Sequence, residues 1–279
     1  VGSLYALIAI GYTMVYGILR LINFAHGDIF MMAGFFMVYI SASMPMAVAI
    51  PVVLIMTVAL GLLIERAAYK PLRSAPRMSV MISAIGVSYL LQNLATYITG
   101  GLARPYPEIP FLKGTFMLGA LKIKVITVVT PLLTVLLVIA LVLFINHTKT
   151  GMAMRAVSRD FDTARLMGIK VNNIISVTFI IGSFLAGVGS ILYFSNYGQV
   201  SPTIGAMPGL KAFVAAVFGG IGSIPGAVLG AYIIGICDSL IKANDAIAIF
   251  SNAFTFALLI LVLLFKPNGM FGEKLAEKV

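Results

Sequence analysis

Residues Val125–Ile145 read VITVVTPLLTVLLVIALVLFI, an unbroken run without a charged side chain. A helix rises 1.5 Å per residue, so about 20 such residues match the roughly 30 Å hydrocarbon core of a bilayer. Barrel strands alternate in segments of about 10 residues, so a run this long selects helices. Working outward, similar runs occupy Val1–Leu19, Ile29–Met44, Met46–Ile64, Met78–Thr99, Ile174–Asn196, Leu210–Ile221, Gly226–Ile241 and Phe250–Phe265. The reading is an all-α, polytopic transmembrane bundle of about eight helices forming a single domain over 1–279. The runs at Ile29 and Leu210 are short for complete spans. They predict broken or re-entrant segments, one in each of two pseudo-repeat halves.

Composition agrees. Hydrophobic residues make up 61% of the 279 and charged ones 10%, against roughly 25% charged in soluble domains. That excludes a soluble enzyme and a disordered chain. The net charge of +10, in so apolar a chain, predicts cytoplasmic loops and contact with membrane lipids rather than nucleic acid. The single cysteine, Cys237, excludes an intrachain disulfide and a cysteine-based metal cluster. The chain opens inside an apolar run without Met, so residues are expected to precede Val1.

Lys and Arg number four in Glu65–Arg77, five in Asn146–Asn173 and three in Lys266–Val279, against four in Gly100–Lys124. With the first three segments on one face, that face is the cytoplasmic one. Gly100–Lys124, with Pro105, Pro107, Pro110 and alternating Leu121, Ile123 and Val125, predicts an extracytoplasmic loop with a short hairpin.

Two stretches break the bilayer rules. Asn23-Phe24-Ala25-His26-Gly27-Asp28 divides two apolar runs. Charging an Asp at mid-bilayer costs about 2.5–3.5 kcal/mol on insertion scales, so such a residue is usually functional. Gly27 offers the freedom for a helix break, and Asp28 suits the N-cap of the following half-helix. The alternative is an ordinary hydrated cytoplasmic turn. The second stretch, Phe218-Gly219-Gly220-Ile221-Gly222-Ser223-Ile224-Pro225-Gly226, cannot be one continuous helix. Paired interruptions in corresponding halves point to a central binding pathway. Gly222, Gly226 and Gly230, four apart, equally suit close helix packing.

Other signals are weaker. Pro225 replaces the third glycine of a dinucleotide fingerprint, no P-loop motif occurs, and His26 and His147 are the only histidines, so no catalytic apparatus and no metal site are expected. Ser3, Thr13, Asn93, Thr96, Ser183, Ser190, Ser195, Asn196, Asn252 and Thr255 read as interhelical hydrogen bonds or interface positions. Asp238 has Lys242 at i+4 as a ready ion partner.

The polar segment 146–173 carries Arg155, Arg159 and a short helix signal. Asp160 suits an N-cap for Phe161–Met167 and Gly168 its C-terminal stop, with Asp162 and Arg165 three apart. Phe161, Ala164 and Met167 or Gly168 would share a face that can lie on the membrane or enter a partner's groove, and so brief a helix favours the protein partner. A solvated loop turn is the alternative.

Gly2–Gly17 (GSLYALIAIGYTMVYG) with Ile22–Asp28 (INFAHGD), Ala164–Asn172 (ARLMGIKVN) and Gly209–Gly226 (GLKAFVAAVFGGIGSIPG) occur in that order. Together they resemble the membrane-spanning subunits of the branched-chain amino-acid ABC importers, the Liv H-type permeases, over nearly the whole chain. The resemblance implies a multi-pass subunit of the bacterial inner membrane that translocates amino acids delivered by a soluble binding protein. A second homologous permease would share the pathway, and two cytoplasmic ATP-binding subunits would hold the nucleotide, leaving this chain without a cofactor. By that analogy Asp160–Gly168 is the coupling helix, and Asn23–Asp28 with Phe218–Ser223 approach the substrate path. Asp28 stands where many relatives carry Glu. Relatives also carry urea, short amides and aromatic acids, so the solute stays open. The rival readings are a self-sufficient channel or secondary transporter, and a membrane enzyme, for which no nucleophile–base pair is visible.

Overall fold

The computed structural model describes residues 1–73, 75–118, 121–266 and 269–271. Its long helices are α1 (Gly2–Leu19), α3 (Met46–Ile64), α4 (Arg77–Thr99), α5 (Val125–His147), α8 (Val171–Tyr197), α10 (Ile224–Lys242) and α11 (Ser251–Phe265). Between them lie the shorter α2 (His26–Ile40), α6 (Lys149–Arg159), α7 (Phe161–Leu166) and α9 (Ala206–Gly219). Among the described residues, seven helical segments are long and apolar enough to cross a membrane, and α2 and α9 are the two shorter apolar ones. The chain is therefore a multi-pass helical membrane bundle. At 15 and 14 residues, α2 and α9 extend only about 21–23 Å, short of the hydrocarbon thickness.

The core is built around α1, which is buried along nearly its whole length and packs on α8, α9 and α10. Tertiary contact buries α1 because it carries small residues: Gly2, Ala6, Ala9 and Gly11 let neighbouring backbones approach. By contrast α4, α5 and α11 present most of their apolar side chains outward. A long apolar side chain stays in contact with lipid at no cost, so these helices form the periphery.

The basic segments share one face. Arg20, at the end of α1, donates through Nη2 to the Ser158 carbonyl of α6 at 3.0 Å, and Arg73 bonds the Asn172 side chain at the start of α8. Lys266 closes α11; Lys274 and Lys278 of the tail lie outside the described residues. On the opposite face the predicted hairpin is present as β2 (Thr115–Leu118) against β3 (Leu121–Lys124). There too β1 (Arg104–Pro105) pairs with β4 (Gln199–Val200), tying the loop to the end of α8.

Three expectations are corrected. Asp28 is not an N-cap: α2 begins at His26, after Ala25, and Asp28 lies inside its first turn, where α4 supplies the carboxylate's partners. Of the polar helix residues read as interhelical bonds or interface positions, Ser183 does stand at an interface, against Gly61 of α3. Asn93, Thr96, Ser195 and Thr255 instead bond a carbonyl of their own helix one turn back. That carbonyl is always within reach and needs no alignment with a neighbour; Ser3, bonding Tyr232 at 3.0 Å, does cross between helices. Finally, α6 was not expected. Thr148 caps it by accepting from Gly151 N at 3.0 Å, and Gly151, Met154 and Val157 form its buried stripe.

Beneath the basic face α3 continues as a π-helical turn over Glu65–Tyr69. The fully buried Glu65 carboxylate pairs with Arg73 and accepts from Ser176 at 3.0 Å. The two partners differ in exposure: removing Arg73 leaves a buried carboxylate uncompensated, whereas Arg73 deprived of Glu65 can turn to water. Arg73→Met should therefore lower stability by about 3–5 kcal/mol and Glu65→Gln by distinctly less. Thermal unfolding of the two purified variants checks this, and equal losses would contradict it.

Candidate functional site

The two short helices start side by side. Gly27, in the first turn of α2, lies against the chain at Gly205 and Gly209, where α9 begins. A methyl group at Gly27 would stand 2.7 Å from the Gly205 carbonyl oxygen and 3.2 Å from Gly209 Cα. Gly27 does not adopt a positive φ and lies inside α2, so its part is close approach and not the helix break expected of it. The break itself falls over Arg20–Ala25, opened by Arg20 in a left-handed conformation (φ 56°).

Where these first turns meet, a cavity of about 310 Å³ opens toward α4. Its polar wall is the Asp28 carboxylate, which accepts from Ser88 Oγ and, at 3.0 Å, from Gln92 Nε2. Its apolar walls include Phe24, Leu210 and Phe213, and Gly27, Gly205 and Gly209 present bare backbone. Two helix N-termini therefore border the same space as a carboxylate, placing the partial positive charge of two helix dipoles beside a negative group. A separate small cavity of about 10 Å³ shares Tyr12 and Phe213 with this one and reaches Ile22 and Ile221, one from each break.

The expected path residues divide. Phe24, Gly27 and Asp28 line the cavity. Asn23 accepts from Tyr69 OH at 2.8 Å, away from it. His26 turns to the far side of α2, its ring 4.9 Å from Tyr12 and slotted against Gly11 of α1. Its Nε2 has no partner among the described residues. Phe218, Gly219, Gly220 and Ser223 sit at the other end of α9. There the Phe218 and Gly219 carbonyls accept from Met270 N and Phe271 N at 2.9 and 3.0 Å. Gly220 and Gly222 take φ values of 105° and 100° to turn the chain, and Ser223 caps α10 by accepting from Gly226 N. Gly219, Gly226 and Gly230 pack backbone to backbone, so the close-packing reading holds at Gly226 and Gly230, while Gly222 faces open space.

Several lining residues escaped the sequence reading: Tyr12, Ser88, Gln92, Gly205, Gly209, Leu210 and Phe213. Ser88 and Gln92 stand one turn apart in an otherwise apolar helix, and Gly205 and Gly209 have the spacing of close backbone contact; both signals were available.

On the basic face, Asp160 caps α7 by accepting from Asp162 N and Thr163 N at 2.9 and 3.0 Å, and Gly168 (φ 81°) ends it. Asp162 and Arg165 form the expected exposed pair at 3.9 Å. Arg155 and Arg159 are exposed on α6. The outward face is not the expected one, because Ala164 is buried within this chain. Leu166 and Met167 are the apolar residues left in solvent, at 88% and 78% exposure. Ala164 packs inward because a six-residue helix can be held only by its smallest face against α6 and α8.

Residues 1–263 match the family described as branched-chain amino acid transport system, permease component. The chain belongs to that family. It is 42% identical to the high-affinity branched-chain amino acid transport system permease protein BraD of Pseudomonas aeruginosa, with all of this chain and 95% of that protein covered. To the corresponding LivH protein of Escherichia coli K12 it is 40% identical over all of this chain and 94% of that one. A probable LivH permease of Methanocaldococcus jannaschii is 28% identical over 97% of this chain and 89% of its own length. No solved structure matches the chain.

The permease's cavity depends on the glycine contact between α2 and α9. Gly27→Val should force the two helices apart, lowering stability by about 1–3 kcal/mol. Gly86→Val is the control, because a Cβ there meets nothing within 4 Å. Thermal unfolding of the two variants side by side checks the difference, and equal melting would remove the contact from the account.

Proposed function

We propose that this chain is one of the two membrane-spanning subunits of an ABC importer for branched-chain amino acids, and that the cavity at the start of α2 and α9 holds the solute during transit. The single observation carrying this is that cavity's composition. A zwitterion needs a negative group for its ammonium and positive potential for its carboxylate; Asp28 supplies the first, and the positive ends of the two helix dipoles supply the second. The branched side chain then lies against Phe24, Leu210 and Phe213. A volume of about 310 Å³ falls at the small end of ligand sites and suits one amino acid. The curated relatives named above act in branched-chain amino acid transport, which favours this solute over urea, short amides or aromatic acids.

The cavity opens beside the outward-facing α4, so a second homologous permease completes its wall. The basic face is cytoplasmic, in the plasma membrane, and the side chains packed around Ile22 and Ile221 close the route to that side. Two ATP-binding subunits dock there and bind the nucleotide, so this chain is not itself an enzyme and needs no cofactor. A soluble binding protein delivers solute to the opposite face. The docking contact is α7, with Leu166 and Met167 entering an apolar groove, and Arg165, Asp162, Arg155 and Arg159 forming a charged rim.

Motion at α7 has a covalent and polar route to the cavity. The chain leaves α7 directly into α8, whose Asn172 and Ser176 hold Arg73 and Glu65. The same turn of α3 carries Tyr69, bonded to Asn23 beside Phe24.

Asp28→Asn keeps the shape and the Ser88 and Gln92 contacts but removes the charge. In the reconstituted complex it should raise KM for leucine uptake by about 10–100-fold, the loss of one charge-assisted bond; unchanged kinetics would refute the placement. Leu166→Glu with Met167→Glu should abolish solute-stimulated ATP hydrolysis while the chain still inserts. Normal stimulation in that variant would end the docking role of α7. Solute flux through the purified chain alone in liposomes would instead support a self-sufficient channel.

A further inference from the structure

Behind the cavity, inside the bundle, lies a charge cluster that transport as described does not use. Lys211 of α9 has a side chain only 4% exposed, and its Nζ is 2.6 Å from Asp238 Oδ1 of α10, itself wholly buried. The other carboxylate oxygen is 2.8 Å from the half-exposed Lys242 and accepts from Tyr5 OH of α1 at 3.3 Å. Ser251, opening α11, donates to Asp238, and Lys211 approaches its hydroxyl at 3.4 Å. Four helices converge on one carboxylate.

Burying two ions costs several kcal/mol each, and a well-packed apolar pair would stabilise the bundle at least as well. What a directed ion pair adds is orientation. At about 100° per residue, Lys211 lies some 200° round α9 from both Gly209 and Phe213, on the side opposite the cavity. Its aliphatic stem and ammonium therefore tie the back of the helix whose front lines the cavity. Apolar packing alone would leave α9 free to roll, since it is short, breaks at both ends and rests on small residues: Ala212, Ala215 and Ala216.

We propose that Lys211 is a positioning residue whose ion pair with Asp238 sets the rotation of α9 and so decides which side chains face the solute. Lys242 holds the same carboxylate from within α10. The Lys211 contact can thus open when α9 moves, without stranding an uncompensated negative charge. The latch is releasable because its acceptor has a second cation. Its consequence for uptake rests on the cavity being the solute site; its consequence for the helix does not.

The test uses the full chain in its assembled complex, with Cys237→Ala and single reporter cysteines treated with N-ethylmaleimide. With Lys211 present, Phe213→Cys should react and Val214→Cys, which faces away and is buried, should not. Lys211→Met should narrow that rate ratio by about tenfold or more, the scale of a lost buried pair, and raise KM for leucine uptake by a similar factor with a smaller change in kcat. Lys242→Met, which removes the cation held within α10 and leaves the Lys211–Asp238 pair in place, should leave the ratio within about twofold. Should Lys211→Met fail to accumulate in membranes, Lys211→Gln carries the same expectation. An unaltered labelling ratio in whichever of these assembles overturns the proposal. A shifted ratio with unchanged KM supports the latch and instead overturns the cavity as the solute site.

Discussion

The backbone contact between Gly27 and the Gly205–Gly209 turn is the constraint on which the permease's interior depends. Inside a bilayer, a helix end exposes N–H groups that lipid cannot satisfy. Placing two such ends against each other, with no Cβ between them, forms a polar pocket at their starts. The carboxylate of Asp28 and the polar side chains of Ser88 and Gln92 then complete it. A side chain at any of these glycines would force the starts of α2 and α9 apart and open the pocket to hydrocarbon.

The surrounding bundle serves that contact at two depths. Toward the basic face, Glu65, Arg73, Asn172 and Ser176 hold the π-helical turn of α3, and Tyr69 from that turn fixes Asn23 as the chain climbs back toward α2. Toward the opposite face, Asp238 gathers α1, α9, α10 and α11. Between them α1 is almost wholly buried and small-residue-rich, so α8, α9 and α10 all pack against it closely. Each buried ion of these two clusters has its partners in place, Glu65 with Arg73 and Asp238 with Lys211 and Lys242, which limits its desolvation cost.

Local physics made much of this legible. Run length alone placed every long span within a few residues, because hydrocarbon thickness sets helix length independently of neighbours. The second interruption, the Asp160 cap, the Gly168 stop and the Asp162–Arg165 pair depend on residues close in sequence, and each appears where the sequence places it, while the first interruption falls a few residues early, over Arg20–Ala25. The pairing of Asp238 with Lys242 is of the same local kind.

What the sequence could not determine is which face of each element turns toward which other. Asp28 reads as a cap until α4 brings Ser88 and Gln92, sixty or more positions away, to its carboxylate. Ala164 reads as an exposed docking residue until the packing of α7 on α6 and α8 buries it, leaving Leu166 and Met167 outside. Lys211 is a lone cation in an apolar run until α10 supplies Asp238. In a soluble protein polarity would reveal such faces; in a membrane both lipid and protein interiors favour apolar side chains, so periodicity falls silent. The amino-acid order therefore determined that the chain crosses the bilayer and where it breaks. Only tertiary packing decided that α2 and α9 start against each other and that a carboxylate faces the space between them.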